Sequence, residues 1–176
     1  VTQNTVLRTL VCHSNQLTSL DVTQNTVLRT LQCWSNQLTS LDVSANTSLE
    51  SLWCYNNLLT SMDVSSNTSL SDLDCDNNQL TNLDVSVNAA LFYLNCPNNN
   101  LHSLNVKNGN NTAIPDYYFN ASNNPNLFCV EVDAAAYSTA NWFNIDVQTS
   151  FSEDCEYPIW PELKVFFQGP YDINSS

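Results

Sequence analysis

Apolar positions along the chain recur at a fixed interval. Leu10, Leu31, Leu52, Leu73 and Leu94 are 21 residues apart, and Cys12, Cys33, Cys54, Cys75 and Cys96 keep the same step. Val22, Val43, Val64, Val85 and Val106 make a third series. Within each unit two short stretches alternate. Leu31-Gln32-Cys33-Trp34 puts Leu31 and Cys33 on one side and Gln32 and Trp34 on the other, the period of a strand. Leu41-Asp42-Val43 does the same with Leu41 and Val43 inward. A 21-residue unit with two strand-like segments leaves no room for a long helix. The pattern predicts a β-rich solenoid: a flattened right-handed coil with 21-residue repeats, a parallel sheet on its concave face, short extended segments on the other side and little helix.

Stacked coils repeat at about the 4.8 Å spacing of neighbouring strands, so identical residues form ladders. The Leu, Val and Cys ladders are expected to fill the interior. Two asparagine ladders, Asn15 to Asn99 and Asn25, Asn46, Asn67 and Asn88, fall where the chain turns. An inward carboxamide there can bond backbone groups of adjacent coils. This accounts for a composition of 27 Asn against 2 Gly, in which asparagine is expected to supply the turn chemistry that glycine usually provides.

Charge narrows the partners. With 17 Asp plus Glu against 4 Lys plus Arg, a formal charge of −13 excludes nucleic acid and anionic membrane surfaces, because phosphate binding needs clustered cations. No apolar run is long enough for a transmembrane helix, so no membrane insertion is expected. Val1 to Leu10 repeats Val22 to Leu31 unchanged, so further repeats or a cap are expected before Val1.

The five ladder cysteines read as small core hydrophobes, since a straight line of thiols without histidine is no tetrahedral zinc site. Cys129 and Cys155 stand outside the ladder. Aligning Ala121–Leu127 with Val43–Leu49 puts Val130 at the inner leucine position and Val132 at the ladder-cysteine position, which turns Cys129 outward. A Cys129–Cys155 disulfide would close the end of the solenoid and implies an oxidising compartment.

Four stretches follow along the chain: regular repeats over 1–106, irregular last coils and a carboxy-terminal cap over 107–155, a Pro-containing linker over 156–162, and the start of a β-rich module over 163–176. Ala134 to Trp142 is expected to cover the open end as a short helix or turn, with Trp142 and Phe143 as plugs.

The unit LxxLxCxxNxLxxLDVSxNTxL carries the leucine-rich-repeat signature with cysteine at one leucine position. Together with Asn126–Asp133 and Asn141–Cys155, it resembles the leucine-rich-repeat regions of secreted surface proteins of Bacteroidota, especially flavobacteria. The resemblance implies an extracellular or cell-surface protein, exported by the type IX secretion system, with no catalytic residues in the repeats.

Function is expected on the outward side of the main sheet. Its columns are Thr9, Thr30, Ser51, Asp72 and Tyr93; Val11, Gln32, Trp53, Asp74 and Asn95; and His13, Trp34, Tyr55, Asp76 and Pro97. Residues 1–21 and 22–42 differ at two places, Val11 against Gln32 and His13 against Trp34, both on this face. Trp34, Trp53 and Tyr55 can stack on sugars, anchor a protein partner or simply pair across strands to stabilise the sheet. Asp72, Asp74 and Asp76 can attract Lys or Arg of a partner, bind Ca²⁺ or form a solvated acidic face. Their alternate spacing of roughly 6.6 Å is too wide for all three to share one ion unaided. The outer series Asp21, Asp42, Asp63 and Asp84 reads as turn hydrogen bonding. His13 and His102 accompany no recognisable nucleophile motif, so no enzyme is expected. The expectation is a non-catalytic recognition or adhesion module without cofactor, binding protein or glycan. A structural spacer, or a passive cargo of the type IX machinery with translocon components as partners, is the alternative.

Overall fold

The computed structural model describes residues 4–155. The expected linker at 156–162 and the following module at 163–176 lie outside the described residues. The described residues form ten short strands: β1 (Thr9–Val11), β2 (Thr30–Gln32), β3 (Ser51–Trp53), β4 (Asp72–Asp74), β5 (Asn82–Asp84), β6 (Tyr93–Asn95), β7 (Ser103–Asn105), β8 (Phe119–Asn120), β9 (Cys129–Glu131) and β10 (Ser150–Ser152). One helix, α1 (Ala135–Asn141), follows β9. A six-stranded sheet runs β1-β2-β3-β4-β6-β8, and a four-stranded sheet runs β10-β9-β7-β5. Every pair is parallel, and Leu10, Leu31, Leu52, Leu73 and Leu94 stand opposite one another. The result is a parallel β-solenoid of about seven turns.

The second sheet is more ordered than short extended segments. Its strands begin at β5, whereas the equivalent segments around Leu20, Leu41 and Met62 stay extended without pairing.

Between the sheets the Leu31, Leu52, Leu73 and Leu94 series, the Val series from Val22 onward and Cys33, Cys54, Cys75 and Cys96 are buried. Full burial of each Leu contributes about 1.5–3 kcal/mol. At one corner asparagine meets both a donor and an acceptor need. The Asn57 carboxamide oxygen accepts from Leu38 N–H at 3.0 Å, while its nitrogen donates to the carbonyls of Cys33 at 3.1 Å and Cys54 at 2.9 Å. Asn36, Asn78 and Asn99 repeat this bonding. At the opposite corner Asn46 donates to Val22 and Asn25 carbonyls, and Asn67 and Asn88 do likewise one coil on each. One side chain thus ties two coils together.

The left-handed turn conformation sits one residue earlier than the ladder asparagine. Ser14, Ser35, Asn56, Asn77, Asn98 and Asn123 have φ between 50° and 55°. Asparagine tolerates this region best after glycine, and serine takes it in the first two coils.

Register changes after β6. Leu94 pairs with Phe119, and Ala121 and Asn124 continue the Cys and Asn ladders. The expected register for the last coil is therefore corrected. Val130 stands opposite Leu104 in the second sheet, and Val132 follows the Val series rather than the cysteine ladder. The mismatch arises because both corners read as Asn followed closely by Leu, and Asn124 to Leu127 has the spacing of Asn46 to Leu49. Alternation is the same on either sheet, so Cys129 still points outward and forms the disulfide with Cys155, at a Cα separation of 5.9 Å.

The far end is closed by Trp142, 1% exposed, stacked on Phe119 at 4.0 Å and edge-on to Phe151 at 5.7 Å. Its indole N–H donates to the Ile114 carbonyl at 3.0 Å. Phe143 is not a plug: it is 68% exposed. Trp142 has extended backbone, so the next side chain points the other way, and Asp116 holds the Phe143 N–H at 2.9 Å.

Candidate binding face

Parallel, in-register strands bring each outward side chain beside its counterpart about 4.8 Å away, a distance that suits stacked rings. His13, Trp34 and Tyr55 use it. The His13 and Trp34 rings lie 3.8 Å apart at 8°, and Trp34 and Tyr55 lie 5.0 Å apart at 7°. Trp34 is thereby covered on both ring faces. Trp53, 37% exposed, stands in the adjacent column between Gln32 and Asp74 and joins no ring contact among the described residues. The expected aromatic cluster is thus a closed stack through Trp34 and Tyr55, with Trp53 a separate, more open ring beside it.

The acidic coil has local partners. The Asp72 carboxylate accepts the Ser71 hydroxyl at 2.5 Å. Asp74 accepts the Asn95 amide at 3.0 Å, the Asp76 backbone N–H at 3.3 Å and the Tyr93 hydroxyl at 3.4 Å. Asp76 accepts the Asn98 amide at 2.9 Å. These donors relieve the repulsion that three alternate carboxylates create, an arrangement concealed in sequence because Tyr93, Asn95 and Asn98 come from the next coil. Burial pushes the Asp74 carboxyl above its usual range, with the Asn95 bond opposing it. Burial and then the Asp74 charge push the Tyr93 phenol up to about 12. Tyr55 moves the same way for the same causes. Among the described residues no three His, Cys, Asp or Glu side chains form a group able to hold a metal ion.

Tyr93 also opens a second aromatic group. It meets Tyr118 edge-on at 5.7 Å, and Tyr118 contacts Phe92 at 5.1 Å and Tyr117 at 4.4 Å. Tyr117 and Tyr118 lie in the irregular stretch before β8, where the 21-residue period gives no register. The run Tyr117-Tyr118-Phe119 was the available signal.

The outer Asp series does what turns require. Asp21 accepts both N–H and hydroxyl of Thr23, Asp42 those of Ser44, and Asp63 and Asp84 the N–H of Ser65 and Ser86. Side-chain and backbone bonds hold Asp21, Asp42 and Asp63 below the usual carboxylate range.

A repeating coil whose Leu and Asn ladders carry the interior and the corners defines a leucine-rich-repeat region. Residues 26–67 match the family model described as Leucine Rich repeats (2 copies). The chain is similar to the functional domain of InlJ from Listeria monocytogenes, described as including a cysteine ladder, at 34% identity and TM-score 0.52 over 74% of this chain and 35% of that one. It is also similar to a leucine-rich-repeat protein of Leptospira interrogans, at 25% identity and TM-score 0.54 over 74% of this chain and 31% of that one. The chain spans about a third of the length of these structures. No curated protein sequence matches it. No helix among the described residues is long and apolar enough to cross a membrane.

Proposed function

We propose that this segment is a non-catalytic recognition module of an extracellular or cell-surface protein, and that it holds a protein partner on the outward face of the six-stranded sheet. The observation that carries the reading is the pair of near-identical coils, 1–21 and 22–42. They differ only at Val11 against Gln32 and His13 against Trp34, and both positions belong to that face. Leucine-rich-repeat folds commonly bind proteins. The contacting residues are His13, Gln32, Trp34, Trp53, Tyr55 and Tyr93, with Asp72, Asp74 and Asp76 beside them.

A protein partner is favoured over a glycan by the ring geometry. A sugar stacks on an open aromatic face, and both faces of Trp34 are occupied by His13 and Tyr55. Trp53 is the ring with a face to offer. The Cys129–Cys155 disulfide supports an oxidising, extracellular setting. Export by the type IX route, with translocon components as passing partners, rests on the repeat resemblance.

The test replaces Trp34 and Trp53 by alanine and measures partner capture and glycan-array binding, with circular dichroism to verify the fold. The reading expects loss of protein capture. Unchanged capture by a folded double variant would favour a structural spacer that carries another domain.

A further inference from the structure

The outward strip of β4 has a geometry that selects one kind of partner segment. Asp72, Asp74 and Asp76 alternate with buried Leu73 and Cys75, so three carboxylates line one edge-to-edge strip at about 6.6 Å intervals. An extended peptide has the same two-residue period on each of its own faces. Laid along β4, it would place residues i, i+2 and i+4 over the three carboxylates.

Charge and capacity agree. The ion pairs among the described residues, Arg29 with Glu50 and Lys107 with Glu131, involve none of the three. A carboxylate has about four acceptor positions, and Asp72 Oδ1 and Asp76 Oδ2 carry no hydrogen bond among the described residues. Trp53 flanks Asp74 on one side and Tyr93 flanks Asp72 on the other, each in strand register. Tyr93 is fixed in place by Tyr118 and by its bond to Asp74. Aromatic rings beside carboxylates favour a cation through both its charge and the ring face.

We propose that this strip docks an extended protein segment bearing Arg or Lys at alternate positions, with Trp53 and Tyr93 packing against the side-chain stems. The proposal rests on the sheet face being the binding face and specifies the chemistry of what it binds. Its charge matches a chain with net −13, in which the whole field steers a basic segment inward and the strip fixes its register.

The experiment uses two fluorescein-labelled peptides of equal composition, one alternating Arg and Ser over eight residues and one with four Arg followed by four Ser. Binding is followed by anisotropy at low and at physiological salt. The proposal expects the alternating peptide to bind at least fivefold more tightly. The variant Asp72→Asn/Asp74→Asn/Asp76→Asn should lose at least tenfold in affinity, and Trp53→Ala severalfold. A matched variant, Asp21→Asn/Asp42→Asn/Asp63→Asn, changes net charge equally and should lose less than twofold. It keeps its turns, because Asn105 already accepts the Lys107 N–H at 3.0 Å in the same role. Equal losses in the two triple variants, or no preference for alternation, would overturn the proposal by showing only diffuse attraction. Such a result would leave the recognition reading intact, since that reading is decided by capture of the natural partner with Trp34 and Trp53 replaced.

Discussion

Trp34 and Tyr55 lie with their rings 5.0 Å apart and within 7° of parallel, each two residues past the end of β2 and β3, which are neighbours in one sheet. With His13 on the other side at 3.8 Å, Trp34 contributes to the sheet as well as to its surface. Each stacked pair is worth about 0.5–1.5 kcal/mol beyond area burial. Trp34→Ala should therefore lower stability by about 1–3 kcal/mol in urea denaturation. Trp53→Ala, at a site without a ring partner, should cost less, because that stacking contribution is absent there. Comparable losses at the two positions would contradict the separation of stack and open ring.

The Asn57 carboxamide closes four bonds to two coils. Replacing it with leucine removes the donor and acceptor together and leaves Leu38 N–H unpaired in the interior, while the Cys33 and Cys54 carbonyls keep their bonds from Asn36 and Asn78. A buried donor left unsatisfied costs about 1–3 kcal/mol, so Asn57→Leu should cost at least that much. Asn56→Gly, at the neighbouring φ of 54°, should be close to neutral because glycine takes that conformation freely. Hydrogen exchange at Leu38 N–H gives the local reading: Asn57→Leu should accelerate it, and Asn56→Gly should not.

The difference between these neighbours also marks how far sequence reasoning reached. A strict period identified the Leu, Cys and Asn columns, since any residue repeated at one phase of a coil must meet the same surroundings in each. It placed Asn36 and Asn57 at the corners and Cys129 on the outside. It could not assign Val130 to the right sheet, because Asn-then-Leu occurs at both corners and an irregular insertion removes the phase. Nor could it place Phe143 or join Tyr118 to Tyr93, which meet through the fold rather than through the repeat. On the candidate face, the column containing His13, Trp34 and Tyr55 was legible. That the rings close over Trp34 was not, since ring orientation depends on side-chain torsions. The acidic trio's donors Asn95 and Asn98 were hidden for a related reason, since they lie in the next coil.

Asp74 gives the face a pH dependence of definite sign. Burial raises its carboxyl in the folded protein above the unfolded value, so between the two the native state binds more protons. Stability from this group is greatest below the unfolded value and falls as pH rises through the folded one. Asp74→Asn removes the charge, and the remaining amide can still accept from Asn95. Its stability relative to the parent should therefore improve from pH 3 to pH 7, by no more than about 1 kcal/mol because solvent screens a partly open site. Asp42 has the opposite sign: its bonds to Ser44 hold the folded carboxyl low, and their benefit is lost as pH falls through that lowered value. Paired urea titrations of parent and Asp74→Asn at the two pH values test the assignment, and a relative loss at pH 7 would reverse it.

The seven cysteines should divide into two chemical groups under one set of conditions. Thiolate is the reactive form, and burial pushes the Cys33 thiol up to about 12 and Cys54, Cys75 and Cys96 well above their usual value. Cys12 is half-buried, and burial raises its thiol as well. In native protein, Ellman's reagent should leave the four buried thiols untouched. Denaturant without reductant should expose five thiols, the number of free cysteines, and reduction should release the two of Cys129 and Cys155. Because that bridge spans 26 residues, Cys129→Ser/Cys155→Ser should lower stability by about 2–4 kcal/mol. Substituting Cys54→Ala should cost a core methyl-sized cavity, about 1 kcal/mol, and leave the disulfide count unchanged. A denatured, unreduced protein with fewer than five titratable thiols would mean that the ladder itself crosslinks, and the division between core and bridge would fail.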